Sequence, residues 1–114
     1  GKVNKMTIRD IRNIVDSIGV PFAYYQFPEG TEQPTPFICF YFTTSDDMIA
    51  DNTNYTKIRQ LVIELYTDEP DFALESDIES ELSSNELVYV KNAAYIDSEK
   101  MWQIAYTTEV VLNG

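Results

Sequence analysis

Between residues 54 and 85 the spacing of hydrophobic and polar positions changes from one period to another. Leu61, Ile63 and Leu65 alternate with Gln60, Val62, Glu64 and Tyr66, the pattern of a strand with one buried face. Beyond Thr67-Asp68-Glu69-Pro70, the apolar residues Leu74, Ile78 and Leu82 recur at every fourth position, which lines them up along one stripe of a helix. Pro70 cannot continue a strand ladder, Asp71 is suited to accept from the free amides of a first helical turn, and Asn85 suits a left-handed closing residue. A strand and a helix joined so closely form one side of an α+β layer.

The same reading extends along the chain. Thr7 and Asp10 have capping-box spacing, and Ile8, Ile11, Ile14, Val15 and Ile18 fall on one helical face, opposite Arg9, Arg12, Asn13 and Asp16. Gly19 and Pro21 stop that helix. PFAYYQF, residues 21–27, is short, aromatic and bounded by prolines, as an edge strand is. Residues 28–36, PEGTEQPTP, form a loop. Phe37 to Thr43 is apolar on both parities, which predicts a strand covered on both faces, either sandwiched in the chain or meeting another subunit. Residues 86–96 and 100–112 read as two further strands around a turn at Asp97-Ser98-Glu99; Trp102, Ile104, Tyr106, Val110 and Leu112 share one parity. The expected order is α-β-β-β-α-β-β: an α+β fold with a small, mainly antiparallel sheet of about five strands and two helices packed on one face.

The length of 114 residues is that of one domain, residues 1–114. Residues 1–5 are expected to be a flexible start, with Gly1 set aside as compatible with a tag remnant. No apolar run approaches the roughly 18 residues of a membrane span, and the start has no apolar signal core, so a cytoplasmic place of synthesis is expected. Histidine is absent, which removes the commonest general base and zinc ligand. The four glycines are isolated, so there is no glycine-rich phosphate loop. The one cysteine, Cys39, lies in an apolar run with no base or positive charge beside it in sequence, which favours an inert buried thiol. The acids of the second helix, including Glu75 and Glu79, are placed on its water-facing side, where a carboxylate lacks the burial that tunes catalysis. These absences point away from an enzyme, a cofactor and a small-molecule substrate.

Charge separates two regions. The net charge is −11, unfavourable for binding a nucleic-acid backbone. Eight acids and no base lie between Asp68 and Glu86, whereas Lys2, Lys5, Arg9 and Arg12 oppose Asp10 alone in the first twelve residues. Two explanations stay open: solvated surfaces, or opposite patches that bring copies together head to tail, with Arg9 and Arg12 meeting the acidic helix of a neighbour. The 44–54 segment, TSDDMIADNTN, is too long for a tight turn, and Met48 and Ile49 either form an apolar tip or tuck into the core. Its acids Asp46, Asp47 and Asp51 miss the spacing of a calcium-binding EF-hand, so no metal site is expected. A subunit or partner interface is assigned to Arg9, Arg12, Phe40, Phe42, Asp46, Asp47, Met48, Ile49, Asp51, Glu75 and Glu79.

Taken together, PFAYYQFPEGT, YFTTSDDMIADN, YTKIRQLVIELYTDEPDFALE and YIDSEKMWQIAYTTEV resemble small prophage proteins encoded among tail and connector genes, and are similar to the tail terminator, or tail completion, proteins of long-tailed phages. The resemblance spans about Thr7 to Leu112. It implies a non-enzymatic ring, a homo-hexamer, that caps the tail tube and joins it to the head connector. Its partners would be its own copies, the tail tube protein and connector proteins, with DNA only as passing cargo and no membrane. It would be found in the host cytoplasm during assembly and then in the virion. Alternatives are a head-closure or neck protein, or a monomeric binding or chaperone-like module of tail assembly.

Overall fold

A computed structural model describes residues 4–28, 30, 32–43 and 58–112. Among these residues six strands and two helices follow in the order β1 (Asn4–Met6), α1 (Ile8–Asp16), β2 (Phe22–Tyr24), β3 (Phe37–Thr43), β4 (Ile58–Thr67), α2 (Phe72–Ser84), β5 (Tyr89–Ile96) and β6 (Met101–Leu112). The fold is α+β, as the alternation implied, with one strand more than the sequence reading had. Asn4–Met6, of which residues 4 and 5 belong to the start expected to be flexible, pairs with Val110–Leu112 of β6.

The strands form one sheet in the order β1-β6-β4-β3-β2, with β5 also on β6. Antiparallel pairing joins β3 to β4, β4 to β6 and β5 to β6. Two short pairings are parallel, β1 with β6 and β2 with β3. Because β4 occupies one side of β6, β5 and β1 share its other side, one after the other along the length of β6.

Register explains the core. Cross-strand partners lie on the same face of a sheet, so Phe40, Ile63 and Tyr106 form one row, and Ile38, Leu65 and Ile104 another. Both helices cover this face: Ile11, Ile14 and Val15 from α1 and Ile78 and Leu82 from α2 join these residues in one buried cluster. A fully buried side chain of this size contributes roughly 1.5–3 kcal/mol relative to exposure.

The helix ends follow local chemistry. Thr7 and Asp10 form the reciprocal capping box, the Asp10 amide donating to Thr7 Oγ1 at 3.0 Å and the Thr7 amide to Asp10 Oδ2 at 2.9 Å. Asp71 accepts from the Leu74 amide at 3.1 Å. The far end of α2 departs from expectation, since the left-handed residue is Glu86, φ 59°, and Asn85 has φ −95°. Asn85 instead donates its side-chain amide to the Glu81 carbonyl. The turn then closes through Leu87 N–H to the Leu82 carbonyl at 2.9 Å, with Leu87 and Leu82 both buried.

Candidate functional site

On the side of the sheet away from α1 and α2, the described side chains bond to one another. Cys39, Glu64 and Ala105 form its central row, between the rows of Tyr41, Val62 and Thr107 and of Phe37, Tyr66 and Gln103. Glu64 accepts from the Tyr41 hydroxyl at 3.0 Å through one oxygen and from the Tyr66 hydroxyl at 2.8 Å through the other. Gln103 donates its amide to the Tyr66 oxygen at 2.8 Å, and Thr43 donates to Gln60 at 3.0 Å. Aromatic rings cover the same side: Phe37 stacks on Tyr66 with centroids 4.8 Å apart, and Tyr25 stacks on Tyr41 at 5.6 Å.

This environment keeps its acidic protons in place. Burial pushes the Cys39 thiol up to about 11, assisted by the Glu64 charge, so the thiol is protonated and poorly nucleophilic at neutral pH. Tyr66 is raised by burial, with the Gln103 bond opposing and Glu64 assisting, and Tyr41 is raised by burial and by its bond to Glu64. Among the described residues, no cluster of three or more histidine, cysteine, aspartate or glutamate side chains is arranged to hold a metal ion. No described helix is long and apolar enough to cross a membrane.

A groove of about 810 Å³ runs across this face. It is lined by Phe37, Cys39 and Tyr66 of β3 and β4, by Tyr25, Phe27 and Glu32 from the segment between β2 and β3, and by Ile96, Glu99 and Met101 at the β5–β6 hairpin. Sequence reading missed this groove, although the double-parity run of Phe37–Thr43 pointed to the face it lies on. Its lining draws on segments about 70 residues apart in the chain, which no local pattern joins.

The sequence-assigned interface residues do not converge on one place. Arg9 and Arg12 are exposed on α1, with the Arg12 guanidinium 5.5 Å from the Phe22 ring centre. Phe42 is half-buried on the helix side. Phe40, expected at a subunit contact, is fully buried in the chain's own core, because its partner Ile63 faces the helices. Asp46, Asp47, Met48, Ile49 and Asp51 lie outside the described residues. Glu75 and Glu79 correct the expectation of a water-facing pair. Glu75 is 5% exposed, and Lys91 of β5 reaches both carboxylates at 2.7 Å. Tyr106 donates to Glu79 as well, at 2.8 Å. Hydrogen bonding and charge from Lys91 hold Glu79 below the usual carboxylate range against the opposing effect of burial, and the two carboxylates raise Lys91. Lys91 stands twelve residues beyond Glu79, outside any helical spacing, and the β5 register alone brings it there.

A chain of the solved "Virion of native gene transfer agent (GTA) particle" is similar to this one over 94% of this chain and 91% of that chain, with a TM-score of 0.58 and 17% identity. The two share a fold. At that identity the likeness is one of architecture, carried by strand and helix order more than by individual side chains. No protein-family model matches the sequence, and no curated protein matches it.

Proposed function

We propose that the chain is a non-enzymatic structural protein of a phage-type particle, a tail terminator that forms a hexameric ring capping the tail tube and joining it to the head connector. The observation that carries this reading is the fold shared, across nearly the whole of both chains, with a chain from a gene transfer agent virion. The resemblance of its sequence segments to tail terminators narrows the role from virion component to terminator. The sheet face away from α1 and α2, with polar groups bonded laterally and rings stacked along it, supports this reading as an ordered surface for a neighbouring protein.

In this reading the protein assembles in the host cytoplasm and ends in the virion, and DNA passes through the ring. A net charge of −11 favours a lumen that repels phosphate and lets the duplex slide. A basic lumen with acids on the outer rim would overturn that part.

The decisive experiment is binding to purified tail tubes, imaged by negative stain. The expected result is one six-fold ring at a single end of each tube. Binding only to head connectors would replace the terminator with a head-closure or neck protein. A monomer that binds neither would overturn the reading.

A further inference from the structure

Glu75 and Glu79, the acids of α2 named above for a contact, already hold Lys91 of their own chain. The groove offers an alternative. Glu32 and Glu99 both line it, from the β2 side and the β6 side of the sheet order, neither forms a salt bridge among the described residues, and the stacked pair Phe37 and Tyr66 lines it with them. Carboxylates flanking aromatic faces suit a guanidinium, which takes charge from the former and a ring face from the latter.

From these placements we infer that the groove receives the Arg9 and Arg12 face of α1 from a second copy of this chain. This deepens the ring reading above and rests on it. Arg9 and Arg12 are three residues apart on an exposed helical face, with the Arg12 guanidinium over the Phe22 ring at the edge of the sheet. Four of the eight Lys and Arg residues lie in the first twelve positions, making this start the densest source of positive charge in a strongly acidic chain. Copies carrying −11 each repel at long range, and a local basic-on-acidic match sets which surfaces meet. Lys100 shares the hairpin turn with Glu99 but does not line the groove.

Geometry makes the contact intermolecular. Helix α1 packs on one face of the sheet through Ile11, Ile14 and Val15, and the groove is lined from the opposite face. The two surfaces of one copy therefore stand back to back with the sheet between them. Each copy presents a donor on one side and an acceptor on the other, a head-to-tail arrangement that closes into a ring when the rotation between copies is suitable.

The test uses the full chain with two charge-reversed variants, Arg9→Glu/Arg12→Glu and Glu32→Arg/Glu99→Arg, followed by sedimentation velocity at low salt over a range of concentrations. Wild type self-associates, and each variant alone does so on the order of a hundredfold more weakly, because every contact then opposes like charges. An equimolar mixture of the two variants regains assembly. In an alternating ring the reversed helix meets the reversed groove and the native helix meets the native groove, so every contact is complementary in an even-membered ring. Regain on mixing also demonstrates that both variants fold. A wild type that stays monomeric, a variant that assembles as wild type does, or a mixture that stays dissociated each overturns the inference. Wild-type binding to tail tubes is scored separately, so rings on tubes that ignore these four substitutions reject the groove contact and leave the terminator reading standing.

Discussion

Along β4, neighbouring residues sit in opposite environments. Leu61, Ile63 and Leu65 are buried at 0–2% exposure beneath the helices, whereas on the side away from α1 and α2 Gln60, Glu64 and Tyr66 lie half-buried around a buried Val62. The covered face is stabilised by removing apolar area from water and by close packing. The opposite face holds its polar groups by bonding them sideways, with Tyr41 and Tyr66 both donating to Glu64. A face of the first kind tolerates little change, while one of the second kind can be altered with modest loss of stability and is free to serve an external contact. The two acidic clusters repeat the contrast: Glu75 and Glu79 are engaged inside the fold, and Glu32 and Glu99 face a groove.

The contrast is tested most severely by Phe40→Ala. Phe40 is fully buried, and truncating an aromatic ring in a packed core costs about 3–5 kcal/mol. Chemical denaturation is expected to show that loss, and a loss under about 1 kcal/mol would mean that the covered face is no more demanding than the other. Next in size is Lys91→Met, which leaves the buried Glu75 without its cation. About 2 kcal/mol is expected, less than for a wholly buried pair because the Lys91 side chain is 37% exposed.

That second effect has a pH signature. Glu79 is held below its ordinary value of 4.5, so its contribution is present above that value and is lost as pH falls through the lowered one. Lys91 is raised above 10.5, so its contribution is present below that value and is lost as pH rises through the raised one. The stability gap between wild type and Lys91→Met is therefore widest between about 4.5 and 10.5 and narrows on both sides. A gap that does not vary with pH in denaturation curves would show that Lys91 acts through packing.

Smaller effects belong to the opposite face. Glu64→Gln exchanges two charge-assisted bonds for weaker ones at a cost of about 1 kcal/mol. It also removes the charge that helps raise Cys39, so the thiol should titrate below about 11 in alkylation-rate measurements yet stay above the ordinary 9.0, since burial remains the larger cause. Smallest of all is Val90→Thr. Val90 is 62% exposed on β5, and a change within about 0.5 kcal/mol is expected by thermal denaturation.

What the sequence made legible was local. The alternation of Leu61, Ile63 and Leu65, the Thr7–Asp10 capping box, the Asp71 cap and the stripe ending at Leu82 each depend on residues within a turn or two of one another, and each is present in the fold. The two parallel pairings were not legible, because they join segments whose composition says nothing of their partner. The same holds for Lys91. Its carboxylate partners come within reach only once β5 lies beside β6, and Glu75, an expected surface acid, is 5% exposed on the same side of α2 as Ile78 and Leu82. Phe40 was read as a contact residue because both parities of its strand are apolar; one parity serves the core and the other the opposite face.

The parallel pairing of β1 with the end of β6 has a practical consequence. Asn4 lies beside Val110 and Met6 beside Leu112, so the first and last strands clasp one another like the two halves of a buckle. Linking residues 4 and 112 through a short glycine-rich bridge, and opening the chain instead at the exposed hairpin tip near Ser98, should give a permuted protein with the same sheet.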